Sequence, residues 1–188
     1  MDQKDIQKTF SLAQDLHKKG YPIFVIVIIG IISLFGLNID NLPDMFGSGA
    51  QGEFCEVTKI YDGDTMTLIC PNQTEKVKVR LYCIDTPEMQ QKPWGQDSRD
   101  HLRSIAGTQV KLVEIDKDRY GRIVGEVYTA NNVNLNLEQV RAGKAAVYDA
   151  YCKKPEYKTA EQQAQSAKLG IWSESGLQQT PWDWRKQK

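Results

Sequence analysis

The sequence has no excess of positive charge. Its 24 Lys and Arg residues are balanced by 24 Asp and Glu residues, which gives a formal net charge of zero. This balance argues against binding of nucleic acid through bulk basicity, because that mode of binding needs a strong positive field. Any anionic ligand must instead be held by a local arrangement of side chains.

Cysteine and histidine are scarce, and no motif for a structural metal is present. The chain has four cysteines and two histidines, with no CxxC pair and no cluster of the two residue types. A zinc site is therefore not expected. Internal repeats are also absent, and 40% hydrophobic with 26% charged residues is typical of a globular protein. The length of 188 residues suits one domain with an extension.

Only one long hydrophobic run occurs, at residues 21–37, which contain no charged side chain. As a helix this run would extend about 26 Å, slightly less than the ~30 Å hydrocarbon core of a bilayer. Lys18 and Lys19 precede the run, and the next basic residue is Lys59. The positive-inside rule then predicts a single-pass transmembrane helix, a signal anchor, with residues 1–20 in the cytoplasm.

This prediction places the main domain outside the cytoplasm. Residues 38–52 are rich in Asn, Asp, Pro and Gly and are expected to form a linker, and residues 53–188 are expected to form a periplasmic or extracellular domain. Two alternatives remain open. The run could be a buried core helix, or it could be a signal peptide cleaved after the small residues Ser48 and Ala50. In the second case the domain would be secreted.

The four cysteines all follow the apolar run, and their even number fits disulfides in an exported protein. Cys55 and Cys70 lie on either side of an Asp-Gly turn, so a hairpin centred on that turn would place them opposite each other. Cys83 would then pair with Cys152. Four free, packed thiols are the alternative.

The remaining pattern predicts a domain of the α+β class. Five segments are expected to be strands because they alternate or are rich in β-branched residues: 53–61, 65–70, 76–84, 109–115 and 122–129. Three segments have the spacing of helices: 96–106, 134–142 and 156–169. Because strands and helices do not alternate as βαβ units, the pattern favours a closed five-stranded barrel with about three packed α-helices.

Three short motifs concentrate acidic and basic side chains. They are DGDT at 62–65, RLYCIDTPE at 80–88 and DRYGR at 118–122. Each motif alone is an ordinary turn, a solvated strand face or a helix entry. Only the combination of the three motifs therefore indicates a function.

Together the motifs contain the groups that phosphodiester hydrolysis requires. Asp64 and Asp85 form a carboxylate pair that suits a hard cation with oxygen ligands. Glu88 is a third carboxylate, which can contact a water molecule. Arg80 and Arg122 are permanently charged forks that match phosphate oxygens. Such groups can orient water and stabilise the charge of the transition state.

The motifs resemble those of the staphylococcal (micrococcal) nuclease, or thermonuclease, family. The resemblance extends from about Val57 to Glu174 and includes VRAG at 140–143 and LGIWSE at 169–174. It implies an oligonucleotide/oligosaccharide-binding (OB) barrel and a calcium-dependent, sugar-non-specific endonuclease. Such an enzyme hydrolyses DNA and RNA, including single strands, to products with 3′-phosphate and 5′-hydroxyl ends. A monomer is expected.

The resemblance also implies roles for particular residues. Asp64 and Asp85, with the backbone carbonyl of Thr86, match the calcium ligands. The positions that match the catalytic residues are Arg80, Glu88 and Arg122. The positions that match the nucleotide-binding tyrosines are Tyr120, Tyr148 and Tyr151.

Three features depart from the family's type enzyme: the cysteines, the near-neutral charge and a short loop at residues 89–95. They leave the acid and arginine set complete but predict weaker attraction of nucleic acid. A non-catalytic nucleic-acid- or protein-binding module of the same fold is the main alternative function. A membrane-tethered assembly protein is a second alternative, because fold alone does not establish function.

The C-terminal tail is a separate question. Residues 180–188 carry Trp182 and Trp184 beside basic side chains. The tail is expected either to pack on the barrel or to contact single strands by stacking and phosphate binding.

Overall fold

The structure is a computed structural model that describes residues 53–187 with the exception of Asn72 and Thr74. The predicted cytoplasmic segment, transmembrane helix and linker, which together cover residues 1–52, lie outside the described residues. Within residues 53–187, no helix is both long enough and apolar enough to cross a bilayer.

Five of the strands close into a barrel. The strands of the described chain are β1 Glu53–Ile60, β2 Thr65–Ile69, β3 Val77–Leu81, β4 Ile84–Asp85, β5 Gln109–Lys117, β6 Ile123–Tyr128 and β7 Ala146–Val147. The barrel order is β1-β2-β3-β6-β5, and β5 pairs back onto β1. Neighbours are antiparallel except for the parallel pair β3 and β6. This is the topology of an OB barrel, so the predicted α+β barrel is confirmed for the described domain.

The first hairpin carries one of the two predicted disulfides. Val57 of β1 pairs with Leu68 of β2, and the same register places Cys55 opposite Cys70 with their Cα atoms 4.2 Å apart. A β-bulge between Val57 and Lys59 shifts the register nearer the turn. The predicted pairing register of the hairpin is therefore correct at the end that carries the cysteines. Beside the turn the register is shifted by one residue.

Strand β3 is shorter than its alternating pattern predicts. The pattern extends to residue 84, but β3 ends at Leu81 because Cys83 has a left-handed backbone with φ of 70°. The second disulfide joins Cys83 to Cys152, and the N–H of Tyr148 donates to the Cys83 carbonyl at 2.9 Å. The chain then forms β4, which pairs with β7 in a separate two-stranded sheet.

The α-helices of the described domain are α1 Trp94–Ala106, α2 Leu135–Arg141, α3 Pro155–Ser166 and α4 Pro181–Arg185. Helices α1 and α2 pack against the barrel, α3 packs mainly against α2 and β7, and α4 lies in the tail. The first three confirm the predicted helices, although α3 ends before residue 169 because Lys168 and Gly170 have positive φ. Asn134 caps the N-terminus of α2, because its side chain accepts a hydrogen bond from the Leu137 N–H at 3.1 Å.

The barrel interior and the inner faces of the helices share one hydrophobic core. Met66, Leu68 and Val79 of the barrel are fully buried together with Leu102 of α1 and Val140 of α2. Burial of each such side chain stabilises the fold by about 1.5–3 kcal/mol. The core therefore holds the strand ends and turns that carry the candidate site.

Candidate active site

One cleft of about 1160 Å³ brings together every residue for which the sequence predicts a catalytic, metal-binding or substrate-binding role. Those residues are Asp64, Arg80, Asp85, Thr86, Glu88, Tyr120, Arg122, Tyr148 and Tyr151. They come from the β1–β2 turn, from β3 and the segment after it, from the β5–β6 turn and from the loop after β7. The clustering supports the interpretation of the motifs, while the individual roles stay predictions.

The β1–β2 turn is anchored to two helices. Gln139 of α2 donates from Nε2 to the Gly63 carbonyl at 2.7 Å and to the Ser98 carbonyl of α1 at 3.0 Å. Gly63 lies so close to α1 that a Cβ there would be 1.8 Å from Ser98 Oγ. The Asp62 side chain accepts from the Asp64 N–H at 3.1 Å, which stabilises the turn. The position of Asp64 is therefore coupled to the packing of α1 and α2.

Asp64 is a buried carboxylate with partners on both oxygens. Its Oδ2 accepts hydrogen bonds from the Thr86 N–H at 2.9 Å and from the Thr86 hydroxyl at 2.8 Å. Its Oδ1 accepts from the Thr65 hydroxyl at 3.1 Å. Thr86, for which the resemblance implies a backbone contact to the cation, thus also orients the carboxylate of Asp64.

Arg80 links the two predicted metal ligands. Its Nη2 donates to Asp85 Oδ1 at 2.7 Å, and its Nη1 forms an ion pair with Asp64. Burial lowers the pKa of the Arg80 guanidinium, while Asp85 and Asp62 act in the opposite direction. Burial raises the pKa of the Asp62 carboxyl above its ordinary value, against the opposing effect of Arg80. Because one guanidinium contacts both Asp64 and Asp85, the two carboxylates lie close enough to share one cation.

Arg122 is held by an acidic residue whose role the sequence interpretation missed. Asp118 Oδ2 accepts from Arg122 Nε at 2.6 Å, and Asp118 Oδ1 accepts from the backbone N–H groups of Tyr120 and Arg122 at 2.9 and 3.0 Å. Burial alone would raise the pKa of Asp118, but these hydrogen bonds outweigh it and lower that pKa. The signal was the Asp-x-Tyr-Gly-Arg spacing, which allows one carboxylate to close its own turn.

The three predicted tyrosines form two separate aromatic surfaces in the cleft. Tyr120 is exposed, and the guanidinium of Arg122 lies 5.6 Å from its ring centre. Tyr148 and Tyr151 contact each other with ring centres 5.1 Å apart. Trp182 of α4 stacks on Tyr148 at 5.5 Å with an interplanar angle of 18°.

Arg185 of α4 is a cleft residue that the sequence interpretation did not identify. It donates to Asp85 Oδ2 at 2.7 Å, to Asp85 Oδ1 at 3.2 Å and to Glu88 Oε1 at 3.0 Å. Burial alone would lower the pKa of Arg185, but its bonds to Asp85 and Glu88 outweigh burial and raise that pKa. No local signal could have revealed this contact, because Arg185 and Asp85 are 100 residues apart in the chain.

The donor set of the cleft suits a hard divalent cation. Asp64, Asp85 and Thr86 offer only oxygen atoms, which are the donors that calcium prefers. Within the described part of the chain, no group of three or more His, Cys, Asp or Glu side chains is arranged to hold a metal ion. The fit is therefore that of a two-carboxylate site, with the remaining coordination left to backbone, water and phosphate oxygens.

Comparison with known proteins assigns the family. The family described as "Staphylococcal nuclease homologue" matches residues 78–174. The chain belongs to the staphylococcal nuclease family. In this family member the matched segment contains Arg80, Asp85, Glu88 and Arg122. Asp64 and the tail that carries Arg185 lie outside that segment.

Several relatives have names that refer to nuclease activity. An "Uncharacterized endonuclease" of Escherichia coli is 38% identical over 133 residues, which are 70% of this chain and 84% of the relative. An "Uncharacterized endonuclease" of Haemophilus influenzae is 38% identical over 135 residues, which are 71% of this chain and 74% of the relative. A "Probable staphylococcal-like nuclease" of Oryza sativa subsp. japonica is 38% identical over 112 residues, which are 59% of this chain but 29% of that longer protein.

Proposed function

We propose that this staphylococcal nuclease family member is a calcium-dependent endonuclease that hydrolyses phosphodiester bonds of DNA and RNA. The observation that carries the proposal is the single cleft that contains the complete acid and arginine set. The names of the bacterial and plant relatives support the same reaction class. The proposed products have 3′-phosphate and 5′-hydroxyl ends.

Calcium is the proposed cofactor, held by Asp64, Asp85 and the backbone carbonyl of Thr86. When bound, it supplies Lewis-acid stabilisation of a phosphate oxygen and helps to position water. The weak affinity expected of a two-carboxylate site suits millimolar calcium outside cells. Thr86 keeps Asp64 oriented through the two hydrogen bonds to Oδ2.

The remaining chemistry is assigned to side chains of the cleft. Glu88, which is 34% exposed, orients the attacking water or accepts its proton. Arg80 and Arg122 stabilise the negative charge that grows on the phosphate in the transition state. A donor of this kind is typically worth about 10²–10³-fold in rate. The described lining of the cleft contains no histidine, so water or Arg122 is the proposed proton donor to the leaving 5′ oxygen.

The tyrosines supply the proposed substrate contacts. Tyr148 and Tyr151 are assigned to stacking on a base, and Tyr120 to the sugar and phosphate beside Arg122. Stacking does not distinguish DNA from RNA, because every base has an aromatic face. It favours unpaired bases, because their faces are exposed. Single strands are therefore the proposed preferred substrates.

A cleavage assay with matched variants tests this function. Purified protein is incubated with labelled single-stranded DNA or RNA, with calcium or with a chelator, and product ends are identified by phosphatase treatment. We expect cleavage only with calcium, and loss of cleavage in Glu88→Gln. Binding of the strands without cleavage under any condition would contradict the proposal and favour the non-catalytic binding module.

We also propose that residues 21–37 anchor the protein in a membrane with the domain outside the cytoplasm. Two disulfides in the domain support an oxidising compartment. Mass spectrometry of the N-terminal peptide from membranes and from medium tests the proposal. Recovery mainly of a soluble form that begins near Gln51 would show a cleaved signal peptide instead.

A further inference from the structure

The C-terminal tail contacts the residues of the cleft through two side chains. We define the C-terminal latch as residues 177–187, which contain a 3₁₀-helix at Leu177–Gln179 and α4. Arg185 of the latch contacts Asp85 and Glu88, and Trp182 of the latch stacks on Tyr148.

Arg185 engages the oxygens that a cation would need. Both oxygens of Asp85 accept from the Arg185 guanidinium, and Oδ1 also accepts from Arg80. A divalent cation prefers the same carboxylate oxygens and carries charge of the same sign as Arg185. The two cations cannot both lie against Asp85 without repulsion, because both carry positive charge and need the same two oxygens.

The same guanidinium also restrains Glu88. Arg185 Nη1 donates to Glu88 Oε1 at 3.0 Å. A carboxylate that orients water needs an oxygen free to accept that water's proton or hydrogen bond. The latch therefore engages both the predicted metal ligand and the predicted water-binding acid through one side chain.

Trp182 covers the aromatic surface proposed for a base. Its ring is nearly parallel to Tyr148 at 5.5 Å between ring centres. Base stacking on an aromatic side chain is typically worth about 1–3 kcal/mol. A base that stacked on this face of Tyr148 would have to displace Trp182.

The part of the latch that carries Trp182 and Arg185 is only partly buried. Helix α4 spans only Pro181–Arg185, and Pro181 is its one buried residue. The Arg185 side chain is 40% exposed, so its ion pairs are partly screened by solvent. Segments with few buried contacts open at a lower free energy than the core, so α4 is the part of the latch that we expect to leave the cleft.

We propose that the C-terminal latch is an internal competitor that calcium and single-stranded nucleic acid must displace from the cleft. Arg185 competes with calcium for the oxygens of Asp85, and Trp182 competes with a base for the ring of Tyr148. The inference rests on the proposed nuclease function. A different role, in which Arg185 binds substrate phosphate, predicts opposite effects of the same substitution.

Calcium binding in the absence of nucleic acid is the first test. The dissociation constant is measured by titration calorimetry on the full-length protein, on Arg185→Gln and on Lys186→Gln. Lys186 is the matched control, because it lies beside Arg185 and its ammonium binds Asp183 at 2.8 Å. We expect Arg185→Gln to bind calcium at least about fivefold more tightly and Lys186→Gln to bind like the wild type.

Release of the latch is measured independently by hydrogen exchange. Amides of Asp183 and Trp184 donate to the Thr180 carbonyl, so their exchange reports on α4. Addition of calcium to the wild type should accelerate exchange in the peptide that covers residues 180–187. Trp182→Ala should accelerate it before calcium is added.

Cleavage rates separate the latch from a substrate-binding role. At limiting calcium, Arg185→Gln should cut single-stranded DNA several-fold faster than the wild type, and at saturating calcium the kcat values should converge. A loss of kcat/KM in Arg185→Gln at saturating calcium would overturn the latch and assign Arg185 to the substrate. Equal calcium affinity of wild type and Arg185→Gln would overturn the latch while leaving the nuclease function intact.

Failure of the proposed function has a different signature. If Arg185→Gln binds calcium more tightly but no variant cleaves nucleic acid, the result supports the latch as a competitor for calcium and contradicts the proposed nuclease function. If neither protein binds calcium, the latch and the proposed cofactor fall together.

Discussion

At the scale of single residues, the orientation of the two predicted catalytic arginines decides what the cleft can do. Each guanidinium is fixed by carboxylates: Arg80 by Asp64 and Asp85, and Arg122 by Asp118. A planar fork held in this way needs little reorganisation when it meets a phosphate. These carboxylates therefore orient both arginines, and two of them, Asp64 and Asp85, are also the carboxylates for which cation binding is proposed.

Arg122→Lys is expected to lower kcat by about 10²–10³-fold, because an ammonium cannot reproduce the two-pronged contact. The thermal unfolding midpoint should change little, since Arg122 lies at the cleft surface. Arg141→Lys on the exposed side of α2 is the control and should retain full activity. A kcat for Arg122→Lys within threefold of the wild type would contradict the assigned role.

Asp118 is predicted to act through Arg122 as a positioning residue. Asp118→Ala removes the 2.6 Å bond to Arg122 Nε and should lower kcat by about tenfold, which corresponds to about 1.4 kcal/mol. Asp118→Ala and Arg122→Lys both disrupt the same ion pair. The double variant should therefore be no slower than Arg122→Lys alone. Multiplication of the two effects would show that Asp118 acts elsewhere.

At the scale of elements, the sequence predicts what local patterns control. Alternation and helical spacing located all five barrel strands and the three main helices, because each pattern reflects the face that packs on the core. The pattern failed at the end of β3, where Cys83 takes a positive φ that is uncommon for a residue with a side chain. The approach of Arg185 to the cleft depends on tertiary packing, and no spacing rule reports it.

The two disulfides should stabilise the domain to different extents. Cys83–Cys152 closes a loop with a sequence separation of 69, and Cys55–Cys70 closes one of 15. Chain-entropy arguments then give about 4 kcal/mol for the longer loop and about 3 kcal/mol for the shorter one. Denaturant unfolding of the two paired Cys→Ala variants should show the larger loss for Cys83 and Cys152. A larger loss for Cys55 and Cys70 would contradict the entropic explanation.

The contact between β6 and α3 should make stability depend on acid pH. Burial alone would raise the pKa of Glu126, but hydrogen bonds from Lys154, Tyr128 and Tyr157 outweigh it and lower that pKa. Since the folded pKa lies below the unfolded value of about 4.3, the unfolded state binds more protons. The stabilisation is therefore complete above that value and is lost as pH falls through the folded pKa.

Glu126→Gln tests this linkage. The substitution should lower the free energy of unfolding by about 1–3 kcal/mol at neutral pH, because buried donors lose a charged acceptor. The difference from the wild type should shrink below about pH 4. Glu114→Gln is the control, because Glu114 lies in β5 with its side chain about half exposed, and this substitution should change the free energy of unfolding little. A difference that stayed constant down to pH 2 would contradict the assigned pKa direction.

At the scale of the whole molecule, the main electrostatic feature of the domain is its balance of acidic and basic side chains. Acidic and basic side chains line the described cleft in equal numbers. Seven of the nine predicted site residues lie in the three ordered motifs, and Tyr148 and Tyr151 were located only through the resemblance to the family. The charge balance predicts a local rather than a bulk attraction for nucleic acid, and Arg80 and Arg122, each ion-paired with a cleft carboxylate, are the proposed source of that attraction.

The affinity for single strands should therefore depend weakly on salt. If about two to three phosphates are neutralised, the slope of log K against log salt is about −1.5 to −2, because single strands release about 0.7 counterion per contact. Fluorescence anisotropy of a labelled oligonucleotide bound to Glu88→Gln, with calcium held constant, measures this slope. Asp116→Lys in the cleft lining should steepen it, whereas Glu114→Lys outside that lining should change it less. A slope steeper than about −5 for Glu88→Gln would mean that a broad basic surface, rather than the cleft arginines, attracts the substrate.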